Sequence, residues 1–357
     1  MKPSRIPRQW DDVTPEWLTG VLAPRCPGVA VRDVAIVTRD DGTNRRCRLG
    51  VTYATGDGPG TVFLKAHNPR HRLVHLRNGN LFGEAQLFAS GAELPVDHPL
   101  VYRSVVDRMR LDFLIVMEDL AARGADPRDA TRPMTVDQVA NGVRSLARLH
   151  ARYWAFTARS EPSLRWVRTW APTKGWQVGL RKRVPTGLER AGDTVPDDVA
   201  RRSGDDVVDL WVRYVGTLRQ GPMTLLHGDA HIGNTYVLPD DRVGFLDWQV
   251  VRRGNWSQDV GSFLIGALTV EDRRRCDTEL VEAHRAALVA PDGDRPTADE
   301  AWLRYRASAA YGLAIWLSTL GSTGFQAQEV SLALAQRYAS AFVDLESEAA
   351  IATLAAR

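Results

Sequence analysis

The stretch LLHGDAHIGN, residues 225–234, is the part of the sequence on which our prediction of the fold depends most. Its apolar beginning, residues 224–226, predicts a short buried strand. A polar loop follows directly and carries four side chains able to bind a metal or move a proton: His227, Asp229, His231 and Asn234. A second apolar strand is predicted at 243–246 and ends at Asp247. Two strand ends thus deliver acids into one loop region, which suits a metal ion held beside a proton acceptor.

Composition limits the class of protein. The chain has 357 residues, 44% hydrophobic and 25% charged, which predicts a globular protein of two domains or one large two-lobed enzyme. The net charge is only +3 and basic residues are scattered, so we expect no nucleic-acid partner. Three distant cysteines without a CxxC pair argue against a zinc site or a disulfide framework and favour a reduced, cytoplasmic setting.

No membrane partner is expected either. Residues 1–12 contain no apolar leader segment. The longest apolar run, 263–270, is far shorter than the roughly 20 residues that span a bilayer. The oligomeric state stays open at this stage.

The first 118 residues predict a β-rich region. Alternating apolar and polar residues indicate five strands, at 31–38, 46–54, 61–66, 100–106 and 111–117. The glycine-rich link at 55–60 predicts a hairpin between the second and third strands. A loop-like run, 121–133, leads us to divide the chain into an N-terminal domain, 1–118, and a C-terminal domain, 119–357.

Lys65 is the most informative residue of the N-terminal domain. Only four of the 46 basic residues are lysines, so a lysine kept within a strand is notable. Lys65 shares a strand face with Phe63, and there it needs an anionic partner unless the strand lies at a wet edge. A helix predicted at 73–94 offers Glu84 as that partner, although Glu84 on the surface is the alternative.

The link 40–44, with the sequence DDGTN, allows two interpretations. It is either a tight turn between the first two strands or a loop that closes over nucleotide phosphates. In the second case the backbone N–H groups around Gly42 and the hydroxyl of Thr43 would contact the phosphates.

The C-terminal domain is predicted to be mainly helical. Helical periodicity and capping residues indicate helices that begin at 135 and cover 199–218, 257–268, 271–288, 297–320 and 329–349. Residues 160–176 are tryptophan-rich and irregular. The strand-and-loop region at 222–260 is embedded among these helices and holds the polar residues described above.

These residues together match the needs of phosphoryl transfer. That reaction depends on positioning and charge stabilisation rather than on covalent chemistry. Asp229 can accept the proton of a hydroxyl group, and Lys65 can bind phosphates with Glu84 orienting it. Asn234 and Asp247 supply the hard oxygen ligands that Mg²⁺ prefers.

The order of these elements resembles the aminoglycoside phosphotransferase and choline kinase-like superfamily, which has the protein-kinase-like fold. The resemblance rests on HGDAHIGN at 227–234 and GFLDWQ at 244–249, with support from VFLK at 62–65, Glu84 and residues 254–260. It covers about residues 36–270 and is nearest to the ecdysteroid kinase-like (CHK-type) branch. It implies an α+β, two-lobed fold, with a small β-rich N-lobe and a large, mainly helical C-lobe.

The resemblance also implies roles for individual residues. Asp229 would be the catalytic base, Asn234 and Asp247 the Mg²⁺ ligands, and Lys65 the ATP phosphate ligand paired with Glu84. The segment from Met117 through Glu118 and Asp119 to Leu120 would be the hinge that meets adenine. Asp259 would support the catalytic loop as a structural acid. The single glycine of the loop at Gly42 and Thr43 departs from the pattern of protein kinases.

The acceptor would be a hydroxyl group of a small molecule of unknown identity. The acids that could bind a polycationic antibiotic lie on helices predicted to be solvated. Aromatic residues are plentiful in the C-terminal domain, and they either pack in the core or form an apolar or cation-binding pocket: Trp166, Trp170, Trp176, Trp256, Trp302, Tyr311 and Trp316. We expect His231 to stabilise the loop rather than to act in the chemistry.

Two other functions fit parts of the sequence. A metal-dependent hydrolase could use His227, Asp229 and His231 as metal ligands, but Asn234 and Lys65 would then have no purpose. A non-catalytic, nucleotide-binding pseudokinase would share the fold. The presence of every residue of the predicted phosphoryl-transfer set argues against it.

Overall fold

The computed structural model describes residues 6–71, 81–169, 171–324 and 326–357. The chain forms two compact units. Unit 1 contains residues 1–93, 98–125 and 247–250, and unit 2 contains 94–97, 126–246 and 251–357. The division at 118/119 in the sequence interpretation stays a prediction of domain organisation.

Unit 1 is built on a five-stranded antiparallel sheet. Its strands are β1 (Ala30–Asp41), β2 (Asn44–Thr55), β3 (Thr61–His67), β4 (Val101–Asp107) and β5 (Asp112–Glu118). They lie in the order β1-β2-β3-β5-β4, so β3, the strand of Lys65, is central. The five predicted strands and the hairpin between β2 and β3 are confirmed, with ends that differ by up to three residues.

The two faces of β3 pack against different partners. Val62, Leu64 and Ala66 are fully buried in a core that also includes Trp17 and Leu18. These two residues belong to helix α1 (Pro15–Leu22), which the hydroxyl of Thr14 caps by accepting a hydrogen bond from the Trp17 N–H group. Alternation along the strand therefore predicted this face correctly.

The opposite face of the sheet is covered by helix α2 (Gly83–Ala89). Ala85 of this helix packs with Ile115 and Met117 of β5 and with Phe63 of β3. Within the described part of the predicted range 73–94 the helix covers 83–89, and residues 73–80 of that prediction lie outside the described residues. Lys65 and Glu84 lie on this face.

Unit 2 is mainly helical. Its helices are α3 (Val136–Arg152), α4 (Lys174–Ala191), α5 (Asp197–Ala200), α6 (Gly204–Thr217), α7 (Ser257–Ala267), α8 (Val270–Ala287), α9 (Ala298–Leu320), α10 (Gln328–Asp344) and α11 (Ser347–Ala355). Threonine hydroxyls cap α3, α4, α8 and α9. The predicted helices at 257–268, 271–288 and 297–320 are confirmed.

Short strands carry the polar loop within unit 2. Strand β7 (Thr224–Leu226) pairs with β10 (Arg252–Gly254), and β8 (Thr235–Val237) lies between β6 (Asp126–Pro127) and β9 (Val243–Phe245). Both apolar strands predicted beside the polar loop are therefore present. The loop 227–234 connects β7 to β8 and includes one turn of 3-10 helix, Ile232–Asn234.

Two helix predictions were incomplete, and one further helix was not predicted. The helix predicted at 199–218 is two helices, because Ser203 and Asp206 form a capping box that begins α6. The helix predicted at 329–349 breaks at Glu346, whose φ of 46° is incompatible with helix continuation. Helix α4 was not predicted, since Pro185 lies within it and weakens its sequence signal.

No helix in the described ranges combines the length and apolar character needed to span a bilayer.

Candidate active site

Lys65 is held by two carboxylates within unit 1. Its ammonium nitrogen lies 2.5 Å from Glu84 Oε2 and 2.8 Å from Asp247 Oδ1. Only 8% of the Lys65 side chain and 6% of the Glu84 side chain are exposed, whereas 39% of the Asp247 side chain is. The prediction that Glu84 reaches Lys65 is confirmed, and the alternative of a lysine at a wet edge strand is excluded. The contact with Asp247 was not predicted.

The charges around Lys65 keep it protonated. Burial alone would lower the pKa of the ammonium group, but the nearby carboxylates of Asp247 and Glu84 outweigh burial and hold the pKa above its ordinary value. Glu84 is fixed further, because its Oε1 accepts a hydrogen bond from the Trp248 N–H group at 3.3 Å. Lys65 is therefore a permanent buried cation at neutral pH.

Asp247 adopts an unusual backbone conformation. Its φ is 61°, in the left-handed region that few residues other than glycine occupy. Asn and Asp tolerate this region better than most residues. The conformation begins the segment 247–250, which belongs to unit 1 although Leu246 before it belongs to unit 2. Such local strain is common at functional positions.

The predicted phosphate loop is a tight connection between β1 and β2. The strands pair as far as Asp41 and Arg45, which leaves Gly42 and Thr43 at the tip. The Gly42 carbonyl accepts a hydrogen bond of 2.7 Å from the Asn68 amide group, and the Asn44 amide donates one of 3.0 Å to Gln249. The loop is thus tied to Asn68, just after the end of β3, and to the segment of Asp247. Both interpretations, turn and phosphate loop, fit this geometry.

The predicted hinge segment begins in a buried strand end. Met117 is buried against Phe63, and the Glu118 carboxylate accepts hydrogen bonds from Leu100 N–H and Arg123. Asp119 lies 2.5 Å from the Arg48 guanidinium group and caps the 3-10 turn that begins at Leu120. The two acidic side chains are thus engaged within unit 1.

In unit 2, Asp259 anchors the polar loop. Its carboxylate is fully buried and accepts hydrogen bonds from the N–H groups of His227 at 2.7 Å and Gly228 at 2.9 Å. Burial alone would raise the pKa of Asp259, but the hydrogen bond and charge of His150 and the loop contacts hold it below its usual value. This is the position that the sequence interpretation gave Asp259.

A pair of buried histidines lies behind Asp259. His150 of α3 places Nε2 3.4 Å from Asp259 Oδ2 and Nδ1 3.0 Å from Nε2 of His284 on α8. Trp256 stacks on the His284 ring, with 4.7 Å between ring centroids. Neither histidine was predicted to take part. The available signal was a histidine between Leu149 and Ala151, on the apolar face of an amphipathic helix.

The carbonyl side of the loop is held by a second set of donors. Arg252 and the Gln258 side chain donate hydrogen bonds of 2.6 and 3.1 Å to the Gly228 carbonyl oxygen. Arg252 also donates to the Tyr311 hydroxyl group at 2.9 Å. Gly228, the residue immediately before Asp229, is therefore held at both its N–H group and its carbonyl oxygen. Arg252 was missed, because an arginine pair after a short strand resembles an ordinary solvated turn.

Asp229 and Asn234 lie together in the loop. The Asn234 side-chain amide donates to the Asp229 carbonyl at 2.9 Å and to Asp229 Oδ2 at 3.3 Å. The Asp229 side chain is 45% exposed, so the carboxylate is oriented from inside and accessible from outside. The Asn234 amide nitrogen is engaged, which leaves its oxygen as the atom of that side chain suited to a hard cation.

The histidines of the loop do not form a metal-ligand set. His227 Nδ1 accepts from the Asp229 N–H group at 3.3 Å, and Nε2 lies 3.0 Å from the Leu246 carbonyl oxygen. Because Nδ1 is an acceptor, Nε2 carries the proton and donates to Leu246. Both ring nitrogens of His227 therefore serve the main chain, which removes the support for the metal-dependent hydrolase.

Among the aromatic candidates Trp256 lies in the core, Trp302 is half-buried, and two others are neighbours of the loop. Trp256 belongs to the buried histidine cluster, and Trp302 packs on Tyr305. Tyr311 bonds Arg252 and stacks on Trp211, while Trp316 packs edge-on against His231 with 5.0 Å between centroids. Trp170 lies outside the described residues. Helix α9 thus places two of the seven aromatic candidates next to the loop.

The fold of the chain is that of the protein-kinase-like phosphotransferases. The family model of the phosphotransferase enzyme family, APH, matches residues 44–305, which is well over half of the chain. The chain belongs to this family. The predicted superfamily and fold class are thereby confirmed. A comparison with curated proteins finds no match.

Solved structures support the same fold. A spectinomycin phosphotransferase, solved with ADP and spectinomycin, matches with a TM-score of 0.51 and 13% identity over 94% of this chain and 99% of that chain. An ethanolamine kinase from Plasmodium vivax matches with a TM-score of 0.51 and 11% identity over 88% of this chain and 83% of that chain. At these identities the likeness shows the fold alone.

Proposed function

We propose that this protein transfers the γ-phosphoryl group of ATP to a hydroxyl group of a small molecule in a Mg²⁺-dependent reaction. The observation that carries the proposal is the buried cation Lys65, shared between Glu84 at 2.5 Å and Asp247 at 2.8 Å. A buried ion cluster contributes little net stability, so its presence in a central strand indicates a task beyond folding. Family membership supports phosphate binding as that task.

The residues of each unit have separate roles in this proposal. Lys65 binds the phosphates of ATP, and Glu84 orients the ammonium group. The backbone of residues 117–120 meets the adenine base, and the loop at Gly42 and Thr43 closes on the phosphates. Asn234 and Asp247 would hold Mg²⁺, which when bound neutralises negative charge on the phosphates.

Asp229 acts as the base. The oxygen of the acceptor hydroxyl group forms a bond to the γ-phosphorus as the bond between that phosphorus and the bridging oxygen of ADP breaks. The hydroxyl proton passes to the Asp229 carboxylate. Asn234 orients this carboxylate, and Asp259 and Arg252 hold the N–H and carbonyl groups of the preceding residue, Gly228. Little reorganisation is then required during the reaction.

The acceptor is best sought among molecules with an apolar or cationic face that can pack on aromatic side chains of the protein. Tyr311 and Trp316 are the aromatic neighbours of the loop described above, and Arg252 adds a positive charge beside Tyr311. The test is a screen that measures ATP consumption by the purified protein in the presence of aminoglycosides, choline-like amines, sugars, sterols and macrolides.

The decisive variant is Asp229→Ala. We expect its turnover with the acceptor found in the screen to fall by at least about 10²-fold, because the positioned base is lost. Binding of ATP should persist, since the proposed ATP ligands lie in unit 1. Asp240→Ala is the matched control, because Asp240 is an exposed aspartate of unit 2 paired with Arg242. Near wild-type turnover in Asp229→Ala would overturn the assignment of the base.

A further inference from the structure

His231 lies beside Asp229 in an orientation that determines where its proton is. The ring caps the 3-10 turn that follows it, and Nδ1 accepts a hydrogen bond of 3.0 Å from the Gly233 N–H group. A ring nitrogen that accepts a hydrogen bond cannot carry the proton of a neutral imidazole. The proton of His231 is therefore on Nε2, the nitrogen on the opposite side of the ring.

Nε2 is the ring nitrogen that lies near the carboxylate of the proposed base. Nε2 lies 3.7 Å from Asp229 Oδ2, the same oxygen that accepts a hydrogen bond from Asn234 at 3.3 Å. Two donors thus approach one carboxylate oxygen. Oδ1 remains as the oxygen of Asp229 that can take the proton of an acceptor.

The surroundings of His231 restrict its movement. The edge-on contact with Trp316 of α9 has 5.0 Å between ring centroids and an interplanar angle of 82°. The His231 side chain is only 10% exposed, against 45% for Asp229. The ring is therefore held from behind, while the carboxylate that it faces is accessible.

We propose that His231 is a positioning residue for Asp229. Its Nε2–H group holds Oδ2, so that Oδ1 is presented to the acceptor hydroxyl group. The separation of 3.7 Å closes to hydrogen-bond distance when the acceptor binds, since catalytic hydrogen bonds often tighten in the reactive complex. This inference rests on the proposed function of Asp229. It goes beyond a purely structural role, in which His231 only caps the turn.

Two amide substitutions separate the capping role from the positioning role. In His231→Asn the side-chain oxygen lies near the position of Nδ1, so the bond from Gly233 is kept and the Nε2–H group is lost. In His231→Gln the amide reaches the position of Nε2 and can donate to Asp229, while the cap is lost. A capping role predicts that Asn is the better replacement, and a positioning role predicts that Gln is.

We expect kcat of His231→Asn to fall about tenfold or more, because the base loses its orienting partner. The KM for ATP and the unfolding temperature of this variant should stay near those of the wild type. His231→Gln should unfold at a lower temperature and yet retain the higher kcat of the two. Turnover is measured with the acceptor found in the screen or, without one, as ADP formation with water as acceptor. A wild-type kcat in His231→Asn would overturn the inference.

A spectroscopic measurement gives an answer that needs no acceptor. In protein labelled with ¹⁵N-histidine, the imidazole correlations that disappear in His231→Gln identify His231. We expect them to show the Nε2–H tautomer, and an Nδ1–H tautomer would overturn the inference.

The Asp229→Ala variant separates a failure of the proposed function from a failure of the role of His231. An active Asp229→Ala variant contradicts the proposed function, whereas inactive Asp229→Ala with fully active His231→Asn contradicts only the role of His231.

Discussion

At the scale of the residue, Lys65 shows most clearly why one basic residue type is used rather than the other. It is one of four lysines among 46 basic residues, and it lies in the central strand of its sheet. An ammonium group is a compact charge that can turn between several anions, whereas the planar fork of arginine favours one bidentate partner. A lysine is therefore suited to a site where it meets two carboxylates and, in the proposed function, a phosphate group as well.

Replacing Lys65 should affect stability and activity separately. In Lys65→Met the Glu84 carboxylate stays buried without the ammonium group, and we expect the free energy of unfolding to fall by about 3–5 kcal/mol. The double variant Lys65→Met/Glu84→Gln removes the buried charge and should recover much of that loss. Turnover of ATP should stay low in both variants. Denaturant unfolding and the ATP assay are measured on both variants. Activity regained in the double variant would contradict this account.

The residues that could be found from the sequence share one property. Lys65, Asp229 and Asp247 are charged groups on the face or after the end of an apolar strand, where a charge stands out in the sequence. His150 and Arg252 were not found, because their task depends on contacts with residues distant in the chain. His150 meets Asp259 across 109 positions. Without the fold, a histidine on the apolar face of a helix predicts only core packing.

At the scale of the element, α9 is the helix around which much of unit 2 packs closely. Its backbone approaches Gly187 of α4, where an added Cβ atom would lie 1.9 Å from the Leu317 carbonyl oxygen. Ser308 of α9 lies equally near the position of a Cβ atom on Gly261 of α7. Glycines thus permit close helix contacts at two places on α9, the helix that carries Tyr311 and Trp316.

This packing predicts a large difference between two glycine substitutions. Gly187→Ala forces α4 and α9 apart, because the obstacle is backbone, and overpacking of this kind costs about 1–3 kcal/mol or more. Gly216→Ala in α6 meets no atom within 4 Å. It should be neutral or stabilise by up to about 1 kcal/mol through helix propensity. Chemical denaturation of the two variants tests the contrast, and equal stabilities would contradict it.

Elements were predictable where the signal is local. The strands of unit 1 and the capped helices of unit 2 follow from alternation and from hydroxyl caps. Breaks within long helical patterns were harder to find. The break before α6 depends on a Ser203 cap inside an apolar pattern, and the one before α11 depends on a left-handed Glu346. Helix α4 contains Pro185, and its stability comes from packing on α9 rather than from its own propensity.

At the scale of the whole molecule, the buried histidine pair makes stability depend on pH. Burial lowers the pKa of His284 well below its ordinary value, and the neighbouring His150 adds to the effect. His284 is therefore neutral in the folded protein and takes up a proton on unfolding below pH about 6.5. The unfolded state then binds more protons, so the free energy of unfolding falls as the pH falls through this range.

We expect the thermal midpoint of unit 2 to decrease from pH 7.5 to 5.5. The contribution of His284 reaches about 1.4 kcal/mol per pH unit where the unfolded state binds one proton more than the folded state. His284→Phe, which can keep the stack on Trp256, should reduce this slope. His71→Gln, at an exposed histidine, is the control and should leave the slope unchanged. Calorimetry across this pH range measures both, and an unchanged slope in His284→Phe would contradict the assignment.

The order in which the chain is synthesised gives the segment 247–250 a further importance. Unit 1 includes this segment, and the contact of Asp247 with Lys65 joins residues 182 positions apart. A ribosome adds roughly 5–20 residues per second, so several seconds pass between the completion of residues 98–125 and the arrival of Asp247. During that interval the nascent sheet carries its central lysine without the second carboxylate. Unit 1 is therefore finished only after more than half of unit 2 has been made, and chaperones have that interval in which to bind it.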